Sequence, residues 1–371
     1  MSGSARRKPA DAGECRHDEP AAGARVTGLA IVEAFDERWR RCTWLLLRWQ
    51  TAEYAAVRLG VMRMDRKKAS DFDQELLSFF DQYVHGLMDR RGFLDRAAKF
   101  AVGGMTAAML VDVLKPKFAE AQQVAKYDKR LMAEYVEYSS PQGHGKMRGY
   151  LAFPWRQTNQ AIRAPAGLTG RRRPGVLVVH ENRGLNPHIE DIVRRLAIEN
   201  FVAFAPDALT PLGGYPGDEE KARELFGKLD QAKMQEDFVA AASYLKNRRE
   251  CTGTIGIIGF GDGGGIANML ATRLPDLTAA ASFYGNQPKA EDVAKIKAAV
   301  MIHYAENDER INAGWPAFEA ALKANRIQHA MYRYPGTQHG FNNDTTPRYN
   351  EAAAKLAWQR TVTFFLRSLR R

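Results

Sequence analysis

Cysteine is scarce in this chain: Cys15, Cys42 and Cys251 are the three in 371 residues. None stands in a CxxC pair or at a Cys/His spacing that would hold a metal, and no disulfide framework is implied. No metal or other cofactor is therefore expected. Long apolar runs are missing too, since no stretch reaches the roughly 18 apolar residues that a membrane-spanning helix needs. Charge of one sign is not segregated either. Lys and Arg number 54 against 43 Asp and Glu, a net charge of +11, but the basic residues are scattered among acids instead of forming a stripe. No nucleic-acid-binding signature accompanies them, so nucleic acid is not an expected partner.

What is present is a chain that is 45% hydrophobic, enough for one large α/β domain plus an extra segment. Residues 1–63 form an Ala- and Arg-rich extension expected to be of low order, in which Thr43-Trp44-Leu45-Leu46-Leu47 is a lone amphipathic piece. Met62 and Met64 precede a change of character, and Met64 reads as a candidate translation start.

Residues 64–126 read as a helical segment. Phe72, Leu76, Leu77, Phe80, Val84 and Leu87 recur at helical spacing. Then comes Asp89-Arg90-Arg91-Gly92-Phe93-Leu94-Asp95, which resembles a twin-arginine export signal. An apolar stretch from Phe100 to Leu114 and the small-residue end Ala119-Glu120-Ala121 follow it. On that reading the protein is periplasmic. The other reading is an amphipathic helix lying on the domain of a cytoplasmic protein, with Arg90 and Arg91 as solvated charges.

Residues 127–371 alternate apolar strands with amphipathic helices, which predicts a mostly parallel sheet covered on both faces. It opens with a hairpin, Tyr135–Tyr138 and Gly149–Phe153, followed by a polar loop containing Arg171-Arg172-Arg173 that reads as solvated. One long helical region is expected from Glu219 to Lys246. Reactive groups in such sheets sit at the carboxyl ends of the strands.

The centre of the domain is Thr254–Gly265, a β-branched strand running into glycines and then a helix. A strand, a sharp turn and a helix with small residues on either side is the layout of a nucleophile elbow. Gly259-Phe260-Gly261-Asp262-Gly263 fits small-x-nucleophile-x-small in one register only, because moving the seat to Asp262 puts Phe260 where a small residue is needed. The seat is therefore Gly261, which has no side chain. Asp308 ends a later strand and His339 lies in a glycine-flanked loop after another, giving the order elbow, acid, histidine. Glu306 and Glu309 are rivals for the acid. Cys251 stands ahead of the elbow strand, which at ~3.3 Å per residue places it near the opposite end of the sheet, so it reads as structural.

From Tyr135 to Arg371 the chain resembles the dienelactone hydrolase family of α/β-hydrolases. The resemblance rests on Gly259-Phe260-Gly261-Asp262-Gly263-Gly264 (in the family G-x-C-x-G-G), His180-Glu181-Asn182-Arg183-Gly184, Ala305-Glu306-Asn307-Asp308 and Gly336-Thr337-Gln338-His339-Gly340-Phe341. It implies an α/β-hydrolase fold and an activity on small carboxylic esters or lactones, with Asp308 and His339 as catalytic pair and Gly261 replacing the cysteine nucleophile. It gives Glu181 the place of the carboxylate that controls the thiol; the alternative is a Glu181–Arg183 ion pair. It assigns the oxyanion hole to the N–H groups of Asn182 and Asp262, where the Asp262 carboxylate opposes an oxyanion unless its side chain points away. Asn343 stands where family members acting on dienelactone carry an arginine. Two readings follow: a water-using hydrolase, and a catalytically inactive relic that binds a small ligand in the old pocket.

Overall fold

The computed structural model describes residues 67–101, 105–155 and 172–370. The extension 1–63, with its Trp44 piece, Met64, Cys15 and Cys42, lies outside the described residues. Residues 66–371 form one compact unit.

The unit begins with helices α1 (Gln74–Val84), α2 (Arg90–Ala97), α3 (Ala107–Leu114) and α4 (Phe118–Ala121). The hairpin β1 (Leu131–Ser140) and β2 (Gly145–Pro154) follows, then β3 (Arg173–Val179), α5 (Pro187–Ile198) and β4 (Val202–Pro206). Next come α6 (Glu219–Phe226), α7 (Gln231–Lys246), β5 (Cys251–Phe260), α8 (Asp262–Arg273) and β6 (Ala279–Phe283). The chain ends through β7 (Ala299–Asn307), α9 (Glu309–Asn312), α10 (Trp315–Ala324), β8 (His329–Gln338) and α11 (Glu351–Leu369).

The strands form one sheet in the order β1-β2-β4-β3-β5-β6-β7-β8. Pairings β1–β2 and β2–β4 are antiparallel, and every pairing from β4 across to β8 is parallel. The parallel part is covered on both faces. On β3, Leu177 and Val179 enter one core while Val176 and Val178 enter the other. This two-sided burial is why the strand is apolar throughout instead of alternating.

Two expectations need correction. The long helical region from Glu219 to Lys246 is broken into two helices, because Asp230 accepts hydrogen bonds from the N–H groups of Ala232 and Lys233 and starts a new one. Arg173 is not in a solvated loop: it opens β3, buried, with its Nε donating to Asn200 Oδ1 at 2.5 Å.

The helical segment builds a small core of its own. Leu76, Leu77, Phe80 and Val84 are buried as their spacing predicts, joined by Phe93, Leu110, Val111 and Leu114. The Phe93 ring is fully buried, 5.3 Å from Tyr83 and 5.9 Å from Phe80. Side chains of Asp73, Asp89 and Thr106 cap the starts of α1, α2 and α3. Leu87, expected on the same face, is 64% exposed because α1 has already ended at Val84.

This segment lies against the carboxyl edge of the sheet. The Gln82 and Tyr83 oxygens at the end of α1 accept turn bonds from the Leu87 and Gly86 N–H groups, and further donors come from the sheet domain. Asn182 Nδ2 donates to the Val84 oxygen at 2.9 Å and Arg223 Nη1 to the Tyr83 oxygen at 3.1 Å. At the other end of α1, Gln74 bonds Gln338 at 2.8 Å. Asp81, between them, takes Arg348 Nη1 at 3.1 Å. The segment is a cap over the site.

Candidate active site

Gly261 stands between β5 and α8 with φ 55° and ψ −120°, a conformation strained for any residue with a side chain. A Cβ on Gly259 would lie 2.0 Å from the Gly263 oxygen, so strand and helix approach as closely as only glycine permits. At Gly261 itself there is room. A Cβ there would lie 3.6 Å from Glu181 Cγ and 3.7 Å from His339 Nε2, both ordinary contacts. The turn therefore aims a side chain, were there one, between a carboxylate and an imidazole.

Asp308 and His339 meet as their order predicts. His339 Nδ1 donates to Asp308 Oδ2 at 2.7 Å, and both groups are buried. Asp308 is held by a second bond, its Oδ1 accepting from the Ile311 N–H at 3.4 Å at the start of α9. The rivals are placed elsewhere: Glu306 accepts from the Gly336 N–H at 2.8 Å, and Glu309 begins α9. Burial works against the charged imidazole, but the carboxylates of Asp81 and Asp308 outweigh it and raise the His339 pKa.

Glu181 is positioned through its neighbour. His180, fully buried, bonds the Glu181 carbonyl at 2.6 Å through Nδ1 and accepts from the Ala208 N–H at 3.1 Å. Arg183, the other partner considered for Glu181, is held by Glu219 at 3.3 Å. The side chain of Asn182 is spent on the cap, leaving its main-chain N–H as the candidate donor. Asp262 is the first residue of α8, and its Oδ2 is buried without a hydrogen-bond partner among the described residues. Cys251 opens β5 at the opposite end of that strand, and burial raises its thiol pKa.

Four residues at the site escaped sequence reasoning. Tyr284 follows β6 with a positive φ of 40°, its ring 4.8 Å from that of His339. Its hydroxyl is buried without a hydrogen-bond partner among the described residues, and burial and the Glu181 charge hold its pKa well above the ordinary range. The signal available was its place after an apolar strand, at the reactive edge. Arg348 shares a cavity with Asn343, whose Oδ1 is committed to Thr345 Oγ1 at 2.5 Å. Asp81 and His85 come from the cap, and the His85 ring stands edge-on to His339 at 4.5 Å. No local pattern linked them to a loop more than two hundred residues later.

Beneath the cap a cavity of about 50 Å³ is lined by Val84, His85, Glu181, Asn182, His339 and Arg348, among others. A wider cleft of about 830 Å³ reaches His339 and Asp308 from the far side of Asp81.

A sequence model described as "Dienelactone hydrolase family" matches residues 162–369, which is more than half of the chain. The chain belongs to the dienelactone hydrolase family. A second sequence model, described as "YqhI-like", matches residues 64–99, the first part of the cap. Among relatives, "Putative hydrolase fragment YghX" of Escherichia coli K12 is 49% identical over 126 residues, covering 34% of this chain and 97% of that protein. "Putative carboxymethylenebutenolidase" of Saccharolobus solfataricus is 30% identical over 244 residues, covering 56% of this chain and 94% of that protein. The crystal structure of a "Putative Dienelactone Hydrolase" from Klebsiella pneumoniae has 29% identity and a TM-score of 0.53, covering 63% of this chain and 99% of that one.

Proposed function

We propose that this protein is a hydrolase of small carboxylic esters or lactones in which water takes the place of the missing nucleophile. The observation that carries this reading is the vacant seat at Gly261, with His339 Nε2 at 3.7 Å and Glu181 Cγ at 3.6 Å from where a Cβ would stand. A water in that seat gives its proton to His339 Nε2 as its oxygen attacks the ester carbonyl. Asp308 holds the tautomer that leaves Nε2 free and steadies the imidazolium that forms. The N–H groups of Asn182 and Asp262 donate to the developing oxyanion. Losing a triad nucleophile leaves a rate enhancement on the order of 10³–10⁴ over water, so a slow enzyme is expected.

Two measurements test this. His339→Ala should lower turnover of p-nitrophenyl acetate about a hundredfold or more; unchanged turnover would remove His339 from the mechanism. The base must be neutral, and carboxylates raise its pKa, so the rate should rise with pH through a midpoint above the ordinary histidine value of about 6.5. Asp81→Asn removes one raising charge and should move that midpoint down. A midpoint that stays put means that Asp81 does not act on His339. A wild type with no turnover at all supports the second reading, the relic with a ligand pocket, which the missing side chain at Gly261 favours.

Export to the periplasm is a separate proposal, resting on Arg90-Arg91 in the sequence. Replacing both by Lys should hold the protein in the cytoplasm, and unchanged fractionation removes the proposal. The buried Phe93 and the Arg90–Glu220 ion pair support the other reading of the segment, an amphipathic cap.

A further inference from the structure

We propose that Asp81, His85 and His339 form a site for one divalent transition-metal ion of the zinc class, closing the cap onto the catalytic loop. One oxygen of Asp81 and one nitrogen of each imidazole lie within 4.8 Å of one another. Tetrahedral bonds of about 2.0–2.2 Å bring such atoms to about 3.5 Å apart, so side-chain rotation of roughly an ångström completes the set. Two imidazoles and a carboxylate are a donor set that zinc-class ions accept, with a position left for water.

The surroundings already have the form of an outer shell. Metal-binding imidazoles usually donate their second N–H to an oxygen, which fixes the tautomer. His339 does so to Asp308 Oδ2 at 2.7 Å, while His85 Nδ1 lies 2.8 Å from the Asp81 carbonyl and 3.3 Å from Asp81 Oδ1. Asp81 Oδ1 accepts from Arg348 Nη1 at 3.1 Å, and Arg310 stands 3.7 Å from Oδ2. The guanidinium groups compete with any ion for this carboxylate, and the two imidazole donors suit a zinc-class ion better than Mg²⁺ or Ca²⁺.

The consequence is regulatory. An ion on His339 Nε2 takes the lone pair that a general base needs, so the metal-loaded, capped state is idle. That consequence rests on the hydrolase reading; the binding site does not, and a protein without turnover can still bind metal.

The test uses the full-length chain, stripped with EDTA and titrated with Co²⁺, reading visible d–d absorption and metal per chain after gel filtration. Wild type should hold about one Co²⁺, displaced by Zn²⁺. His85→Ala and Asp81→Asn should each weaken that binding tenfold or more, and His329→Ala should leave it unchanged. Cys15 and His17 can add background, so the site is the fraction lost in both variants. Thermal melts by circular dichroism show that each variant is folded. No variant-sensitive Co²⁺ at 100 µM metal, with both variants folded, overturns the proposal.

Discussion

Gly261→Cys should raise ester hydrolysis about a hundredfold or more over wild type and lower the melting temperature at the same time. The gain is expected from placing a thiol between the Glu181 carboxylate and the His339 imidazole. The nearest atoms to the cysteine Cβ would be those of Glu181 and His339, at 3.6–3.9 Å, so the Cβ itself fits without displacing them. A cysteine paired with an imidazole ionises readily and attacks as thiolate, which water in the same seat cannot match. The loss comes from the backbone. With φ at 55° and ψ at −120° a residue bearing a Cβ is strained by about 1–3 kcal/mol, which glycine avoids. Activity and stability should therefore move in opposite directions, a pairing that a merely structural change would not give. Asp262 adds a complication. Asp262 is the first residue of α8, next to Gly261, and a carboxylate facing the seat would oppose both the thiolate and the oxyanion. Charge in a partly dry site is worth a few kcal/mol, which is a hundredfold or more in rate. Gly261→Cys with Asp262→Phe should accordingly outperform the single change. The measurement is turnover of p-nitrophenyl acetate and a panel of lactones, with melts of each variant. Folded variants without turnover would mean that the pocket has been altered beyond its nucleophile.

The meeting of Gly261, Asp308 and His339 at one edge of the sheet was legible in the sequence because its pattern is local. The elbow needs small residues at fixed spacing, and Gly259, Gly261 and Gly263 are where a strand, a turn and a helix converge. Asp308 and His339 could be named because each follows an apolar strand, and parallel strands end at one edge. The cap was legible only as helices. Its apolar spacing showed that α1 has a buried face, but periodicity says nothing of which surface receives the polar side. That Asp81 and His85 reach His339 depends on the end of α1 being held by Asn182 and Arg183 at the Val84 carbonyl and by Arg223 at the Tyr83 carbonyl, a tertiary match with no sequence pattern. Arg348 was missed for a similar reason. The reading looked for a guanidinium at Asn343, whereas Arg348 lines the same cavity from further along the loop.

Phe93→Ala should loosen the cap while leaving the sheet as it is. Phe93 is the fully buried ring against which Phe80 and Tyr83 of α1 pack, and truncating such a ring costs about 3–5 kcal/mol. The cap core is separate from the two cores that flank the sheet, so the loss should fall on local opening of the segment and not on global unfolding. Amide exchange in α1 and α2 should then quicken on the order of a hundred- to a thousandfold, with β3, β5 and β6 unchanged. The effect on catalysis follows from volume. The cavity under the cap, about 50 Å³, is too small for an ester, so substrate entry from this side requires the cap to move. In the Gly261→Cys background, Phe93→Ala should therefore lower KM or raise kcat/KM for the bulkier lactones more than for p-nitrophenyl acetate. Equal exchange across cap and sheet would show that the segment is an inseparable part of the domain core. Faster cap exchange without any change in bulky-substrate kinetics would mean that substrate reaches His339 through the wider cleft beside Asp81, and the cap would then be a wall of the site and not its door.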